Sequence, residues 1–189
     1  MRLAYVEADA IKASLSSDAA AVVDRILQRR HPRGLQPLDR AILHSPSFAD
    51  GFNALMDAVT NHLTLTTDIN EIIMCRVSIR NRAWYGWEHH APLARASGVS
   101  DTGMKTLAED QIGADARESG LTDKQWTVAR YTDAMTADVE VADELFAALK
   151  SQFSDQEVVE ITGTVAAYNC LSRLLVALNV AERNGPKPF

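Results

Sequence analysis

Two adjacent histidines, His89 and His90, follow three aromatic residues in the segment NRAWYGWEHHAPLARASGVS, residues 81–100. An imidazole gains and loses a proton near neutral pH, so a well-placed histidine can act as a general acid or base. Successive residues of a helix point about 100° apart, so these two side chains cannot face the same way. A helical projection places His90 on a face of small apolar residues and His89 off that face. His90 is therefore the candidate for chemistry.

The face around His90 has almost no side-chain volume, because Ala83, Gly86 and Ala94 surround the imidazole. Such a face either admits a closely packed helix or leaves room for a ligand above the ring. A glycine inside a helix costs about 1 kcal/mol relative to alanine, which indicates that Gly86 has a specific role. Both a buried core histidine and a functional histidine fit this pattern. Flat apolar walls beside it would come from Trp84, Tyr85 and Trp87.

The candidate partner of His90 is Glu71, which lies 19 positions earlier in the chain. A continuous helix would separate the two residues by about 28 Å, so they meet only if the chain reverses near residues 80–82. The reversal would make an antiparallel helix pair. A carboxylate beside an imidazole orients the ring and favours its protonated form. The alternative is a structural role, in which Asp68 is an N-cap and Glu71 completes the helix start.

The rest of the pattern predicts an all-α fold. Apolar residues at three- and four-residue spacing predict a helix over residues 44–63, and composition predicts another over 140–153. Segments 71–79 and 157–165 are rich in β-branched residues, which favour strands. Neither segment alternates apolar with polar residues or ends in a hairpin turn, so we predict helices there as well.

Helix ends are marked by several residues that suit them. Asn81 is the predicted N-cap of the histidine helix, and Gly98 is the predicted residue just after its end. Two S/T-x-x-E/Q capping boxes predict later helix starts, and they are formed by Thr122 with Gln125 and by Ser154 with Glu157.

Charge and composition argue against several classes of function. The net charge is −6 and the isoelectric point is near 5.3, which disfavours nucleic acid as a partner; the basic run QRRHPR, residues 28–33, is short. Charged or amide residues interrupt the apolar stretches before the roughly 20 residues that a membrane span needs. Acidic residues occur where a signal peptide would be apolar. We therefore expect a cytoplasmic protein that does not bind a membrane.

The two cysteines, Cys75 and Cys170, lie far apart and form no CxxC motif, so neither a disulfide framework nor a cysteine metal site is indicated. Each is expected to be a small buried apolar residue. Adjacent helical histidines diverge too widely to share one metal ion readily. We expect no metal and no cofactor.

The segment EIIMCRVSIRNRAWYGWEHHAPLARASGVS, residues 71–100, resembles the carboxymuconolactone decarboxylase family, which is related to the alkylhydroperoxidase partner proteins of AhpD-like fold. The common pattern is a glutamate at a helix start, then aromatic or cysteine residues, then a histidine eight positions before a glycine. Glu71, His90 and Gly98 match that spacing. The segments LHSPSF, LTLTTDINE and VVEITGTVAAYNCLSRLLVALNV extend the similarity. The resemblance implies an AhpD-like domain, residues 37–189, after an N-terminal helical extension, residues 1–36.

One departure from the family pattern bears on the chemistry. In the peroxidase branch a CxxC motif begins seven positions before the histidine, and its thiolate attacks peroxide. Here Ala83 and Gly86 occupy those two positions. Cys75 lies one turn after Glu71 but has no resolving partner, so a disulfide cycle at this site is disfavoured.

The resemblance to the decarboxylase branch implies a cofactor-free lyase that acts on a small unsaturated lactone or an aromatic-derived carboxylic acid. His90 would be the general acid that protonates carbon, and Glu71 would orient it. Arg76, or Arg80, would hold the substrate carboxylate. The implied substrate-binding residues are Trp84, Tyr85, Gly86, Trp87, Arg76 and Tyr168.

Other functions remain open at this point. The reaction could be a related proton transfer or C–C cleavage on another small acid. The chain could also be a non-catalytic ligand-binding or structural oligomer in which His90 is merely buried. Members of the family form homo-oligomers, which implies a trimer or hexamer here, with a dimer as the alternative. The last long helix supplies apolar residues that suit such contacts, Leu171, Leu174, Leu175 and Leu178.

Overall fold

A computed structural model describes residues 1–7, 9, 17–113 and 116–189. These residues form nine α-helices and two short 3₁₀ helices, and they include no strand. The prediction of an all-α fold is confirmed, segments 71–79 and 157–165 included. Residues 8 and 10–16 of the predicted extension lie outside the described residues. The α-helices are α1 (Ser17–Arg30), α2 (Pro37–Ile42), α3 (Pro46–Asn61), α4 (Thr67–Arg80), α5 (Trp84–Ala96), α6 (Asp101–Ala108), α7 (Asp123–Ala137), α8 (Asp143–Gln152) and α9 (Asp155–Leu178).

Helix α4 is the centre of the fold, because α5, α7 and α9 all pack against it. Every residue from Glu71 to Ile79 is buried. A helix that is buried all round needs no polar face, which explains why this segment lacks an amphipathic period. Two of its buried side chains, Glu71 and Arg76, are nevertheless charged.

Helix α1 belongs to the same core. It packs against α3, and its Val23 and Ile26 are fully buried in the main hydrophobic cluster. The last turn of α1 carries Arg29 and Arg30. The described part of the predicted extension therefore belongs to the same hydrophobic core as the residues that follow it. Its packing also fixes the positions of Arg29 and Arg30.

The chain reverses between α4 and α5, which confirms the predicted turn near residues 80–82 and sets the two helices side by side. Arg82 adopts a left-handed backbone angle, φ 54°, in this turn. Asn81 ends α4, and its side-chain amide donates to Oδ1 of Asn169 on α9 at 3.0 Å. The prediction that Asn81 is the N-cap of the next helix is wrong, because the reversal takes three residues and α5 begins only at Trp84.

The other helix ends follow the sequence signals more closely. Both capping boxes are confirmed at the starts of α7 and α9. Gly98 lies just beyond α5 with φ +102°, as expected of a residue after a helix end. Asp68 is not an N-cap, because α4 starts one residue earlier and Thr66 holds that position. Glu71 therefore does not cap the start of this helix, which was the alternative interpretation of this residue.

Among the described residues, α9 is the one helix long and apolar enough by composition to cross a membrane. It packs against α3, α4 and α7, and it buries Ile161, Val165 and Leu175 in the main core. A core helix of a soluble protein passes the same compositional test. The fold is consistent with a soluble protein.

Candidate functional site

The antiparallel pair α4 and α5 brings Glu71 and His90 together, as the sequence predicts. Nδ1 of His90 lies 2.8 Å from Oε2 of Glu71, which is one hydrogen bond donated by the imidazole to the carboxylate. The exposed fractions of the two side chains are only 17% for His90 and 10% for Glu71. A proton held on Nδ1 leaves the lone pair of the neutral ring on Nε2. Nε2 is therefore the atom that can exchange a proton with a reactant.

Helix α9 places a third polar group beside this pair. The hydroxyl oxygen of Tyr168 lies 3.3 Å from Nε2 of His90, and the two rings meet edge to face at 5.3 Å. Burial raises the pKa of Tyr168, and the negative charge of Glu71 raises it further, so this phenol stays protonated at neutral pH. Tyr168 donates to the neutral imidazole, whereas a protonated His90 donates to the Tyr168 oxygen. Glu71, His90 and Tyr168 thus form a carboxylate–imidazole–phenol chain.

All three members of this chain line one cavity of about 320 Å³. That volume lies near the lower end of the range for small-ligand pockets, about 300–1,000 Å³. Much of the wall is apolar, which lowers the local dielectric around the imidazole and strengthens electrostatic interactions there. The apolar lining residues are Leu38, Met56, Met74, Leu93, Leu171 and Leu175.

The polar part of the lining includes three arginines, Arg29 and Arg30 at the end of α1 and Arg33 in the turn that follows. Arg30 forms two hydrogen bonds to the carboxylate of Asp39, at 2.8 and 2.9 Å. Arg29 lies 3.8 Å from the same carboxylate and also donates to the side chain of Asn53. Sequence reasoning did not assign these arginines to the site. The run QRRHPR was visible, but only the packing of α1 against α3 shows which surface it reaches.

His89 lies off the small apolar face, as predicted, yet it still contributes to the cavity lining. It is exposed, and its Nδ1 donates to the backbone carbonyl of Tyr85 at 2.7 Å. The Tyr85 and His89 rings are 4.3 Å apart. These two residues form part of the rim of the cavity, while His90 lies deeper.

Of the predicted substrate-binding residues, Tyr85, Gly86 and Tyr168 line the cavity, but Trp84 and Trp87 do not. The indole nitrogen of Trp84 donates to the carbonyl of Gly185 at 3.0 Å. Trp87 stacks on the ring of Phe189 with the ring centres 5.0 Å apart. The predicted role of both tryptophans as cavity walls does not agree with these positions, because the C-terminal segment covers them.

Arg76 also lies away from the cavity. Its guanidinium is completely buried and bonds to both carboxylate oxygens of Asp133, at 2.9 and 2.6 Å. It also donates to the carbonyls of Leu107 and Glu109, at 2.7 and 2.6 Å. The predicted role of Arg76 in holding a substrate carboxylate is incompatible with this position, and Arg80 donates to the carbonyl of Asp110 instead.

Gly86 explains the close approach of α4 and α5. A Cβ atom added at Gly86 would lie 2.5 Å from Oγ of Ser78 on α4, a distance that real Cβ atoms do not show. The Ser78 hydroxyl is held in place by donating to the carbonyl of Met74. The small face around His90 thus admits a closely packed helix and also borders the cavity, so both explanations offered by the sequence apply.

The thiols occupy different environments. Cys75 is buried as predicted, and burial raises its pKa far above the ordinary value, with the charge of Glu71 adding to the effect. It therefore remains a neutral thiol. The prediction that Cys170 is buried is wrong, because it lies on an exposed face of α9. Among the described residues, no group of three histidine, cysteine or acidic side chains could hold a metal ion.

No protein-family model and no curated protein sequence matches the chain significantly. Solved structures with similar folds do exist. An AhpD alkylhydroperoxidase core, from an uncharacterized peroxidase-related protein of Ralstonia eutropha JMP134, is 21% identical and superposes with a TM-score of 0.72; the match covers 98% of this chain and 92% of that one. A peroxidase-related protein from Silicibacter sp. TM1040 is 17% identical, with a TM-score of 0.68 over 91% and 90% of the chains.

The debrominase Bmp8 has a similar structure as well. It is 17% identical, and the match covers 88% of each chain with a TM-score of 0.67. A cysteine-to-alanine variant of Bmp8 is known in complex with 2,3,4-tribromopyrrole. Together these likenesses show that the chain has the AhpD-like fold, a helical scaffold that also occurs in proteins of differing activity.

Proposed function

We propose that the protein is a cofactor-free lyase that acts on a small unsaturated or aromatic-derived carboxylic acid, with His90 as the general acid. The observation that carries the proposal is the hydrogen bond of 2.8 Å between Glu71 and His90 beside a cavity of small-ligand size. The carboxylate holds one ring nitrogen, so the other is directed to the side where a substrate would bind. A histidine in a packed core would also be hydrogen-bonded, but it would not line a cavity of this size.

In the proposed reaction the bond between the substrate carbon and its carboxylate breaks. Carbon dioxide leaves, and the electron pair spreads onto a conjugated carbonyl group of the substrate as a dienolate. The protonated His90 then delivers its proton to carbon, and the neutral imidazole regains a proton from water. Glu71 stabilises the imidazolium form by its negative charge. The apolar wall favours the loss of carbon dioxide, because the leaving carboxylate is poorly solvated there.

Two observations support a lyase over a thiol peroxidase. The two positions where the peroxidase pattern has cysteines hold Ala83 and Gly86. Cys75 is buried as a neutral thiol and does not line the cavity. The bromopyrrole complex of the debrominase supports a small planar ring as a ligand class for this fold. Reductive debromination itself is not part of the proposal.

We further propose that the protein acts in the cytoplasm as a homo-oligomer, a trimer or hexamer. Exposed apolar side chains such as Leu55, Leu93 and Val159 would suit contacts between subunits. Light scattering would test this, since a mass of 20.7 kDa would indicate a monomer and contradict the assembly.

The test of the lyase is release of carbon dioxide from carboxymuconolactone and from a series of small unsaturated and aromatic acids. We expect the wild type to release carbon dioxide and His90→Gln to be slower by about 10²–10⁴-fold, the usual contribution of a general acid. His89→Gln is the matched control, because it changes the neighbouring histidine on the cavity rim. Activity that survives in His90→Gln would assign the proton to another group. No release from any acid, with ligand binding retained, would favour a non-catalytic binding protein.

A further inference from the structure

We infer that Arg33, supported by Arg30 and Arg29, forms a subsite in the cavity that anchors an anionic group of the ligand other than the carboxylate that leaves, a second carboxylate or a phosphate. The inference deepens the proposed function and rests on it for the identity of the cavity as the ligand site. It replaces Arg76, which the structure places elsewhere, and it assigns substrate recognition to residues outside the Glu71–His90 pattern.

The first argument is the arrangement of charge. Three arginines are among the residues that line the cavity. Among the described residues, Asp39 is the one carboxylate within ion-pair distance of any of them. Both of its oxygens are engaged by Arg30, one also accepts from the backbone amide of Gln36, and its side chain is 2% exposed. Asp39 therefore orients Arg30 but cannot neutralise all three cations.

The second argument is that the acidic residue among those that line the cavity already has a partner. Glu71 accepts the hydrogen bond from His90 and would be balanced by that imidazole once it is protonated. A protonated His90 makes the cavity still more positive. The protein as a whole carries a net charge of −6, so this positive lining is a local feature and not a consequence of overall composition.

The third argument concerns the availability of the donors. The side chain of Arg33 is exposed and has no acidic partner among the described residues. Its backbone is held in place, because the Gln36 side chain donates to the carbonyls of Arg33 at 3.2 Å and Gly34 at 3.1 Å. A planar guanidinium with free donors binds a carboxylate or phosphate through two parallel hydrogen bonds. The guanidinium of Arg33 is therefore available to a ligand, while its backbone is held in position.

Arg29 supports the same conclusion from a buried position. Burial lowers its pKa, and the positive charge of Arg30 lowers it further. An anion bound between these side chains would offset the repulsion from Arg30 and favour the charged form of Arg29. A negatively charged ligand would thus reduce the electrostatic repulsion between Arg29 and Arg30 that is present in the unliganded protein.

The test uses the full-length protein and isothermal titration calorimetry with benzoate, phenyl phosphate and the uncharged analogue benzamide. We expect benzoate or phenyl phosphate to bind the wild type at least tenfold more tightly than benzamide. Arg33→Gln should weaken binding of the anion at least tenfold. Arg25→Gln is the matched control, because Arg25 lies on α1, the helix that leads into Arg33, and pairs with Asp50 outside the cavity, and because the variant removes the same charge. It should leave the affinity unchanged.

Comparison of the two anions identifies the natural group, since the tighter of benzoate and phenyl phosphate indicates a carboxylate or a phosphate. The inference is overturned if benzamide binds as tightly as the anions, or if Arg33→Gln binds like the wild type. Equal losses in Arg33→Gln and Arg25→Gln would also overturn it, because they would reflect total charge. So would a wild type that binds neither anion at millimolar concentration.

The two proposals can fail separately. Binding that depends on Arg33 in a protein that releases no carbon dioxide would contradict the lyase and leave the subsite intact. If His90→Gln slows turnover but Arg33→Gln changes neither the KM nor the affinity for the anion, the result would contradict the subsite alone.

Discussion

Helix α4 buries two charged side chains five positions apart, and their surroundings differ in a way that separates structure from chemistry. Arg76 is enclosed, and its donors are shared between one carboxylate and two backbone carbonyls. Glu71 has one strong contact, to His90, and lies on the wall of a cavity. Both are buried charges, but only the second retains room for a further partner.

The comparison shows that burial of a charge does not by itself indicate a functional site. A buried charge whose hydrogen-bonding capacity is filled by the protein contributes to the definition of the fold. A buried charge that borders open space, and whose partner can change protonation state, is suited to act on a ligand. Arg76 joins α4 to α7 and to the C-terminal end of α6, whereas Glu71 and His90 line a cavity.

The largest expected effect follows from breaking the enclosed pair. Arg76→Met should lower the free energy of unfolding by about 3–5 kcal/mol, because it leaves the partly buried carboxylate of Asp133 and two backbone carbonyls without their partner. Urea denaturation measures the change. Arg95→Met is the control, since Arg95 is about half exposed and lies 3.9 Å from Asp101, so its loss should cost less than about 1 kcal/mol. Similar losses in both variants would show that the enclosed pair has no special role.

A smaller effect is expected where α4 and α5 touch. Gly86→Ala should destabilise the protein by about 1–3 kcal/mol, because its methyl group would overlap the Ser78 hydroxyl. Adding Ser78→Ala removes that oxygen and should restore part of the loss. Gly163→Ala is the control, because an added Cβ there meets nothing within 4 Å, and it should stabilise α9 by up to about 1 kcal/mol. A Gly86→Ala variant as stable as the wild type would contradict the close helix contact.

The smallest effect on stability is expected from thiol modification. The raised pKa of Cys75 keeps its thiolate population low at every pH below that value, so alkylation of the folded protein should be confined to Cys170. The unfolding free energy should change by less than about 0.5 kcal/mol, because Cys170 is exposed. Mass spectrometry after iodoacetamide treatment locates the label. Rapid labelling of Cys75 in the native protein would contradict its enclosure and reopen thiol chemistry.

The pairing of Glu71 with His90 was predictable from sequence, because it depends on local helical geometry. The helical projection predicts that His90 and not His89 faces inward, and the chain reversal at residues 81–83 brings Glu71 to it. The exact turn was not predictable, since Asn81 suits a helix start by composition but is used to tie the end of α4 to α9. Local helix propensity could not show that the side-chain amide of Asn81 would instead bond to a residue far away in the sequence, Asn169.

The rest of the site depends on contacts between segments far apart in the chain. Trp84 and Trp87 had the composition of a pocket wall, but the C-terminal Phe189 covers them. Arg76 had the right charge for a substrate carboxylate, but α4 directs it to Asp133. The basic run QRRHPR is too short to indicate a nucleic-acid partner, and its Arg33 reaches the cavity because of where α1 packs. The sequence indicated side chains that are chemically suited to bind a ligand, and tertiary packing determines which of them line the same cavity.

The most direct test of the central claim replaces both members of the open pair at once, in the double variant Glu71→Leu, His90→Leu. Replacing both partners of a buried hydrogen bond with apolar groups of similar shape is often nearly neutral or stabilising, unless the pair is needed for the fold. We predict that urea denaturation will find the double variant at least as stable as the wild type. A loss of stability as large as that of Arg76→Met would show that Glu71 and His90 maintain the fold, and it would contradict their assignment to chemistry.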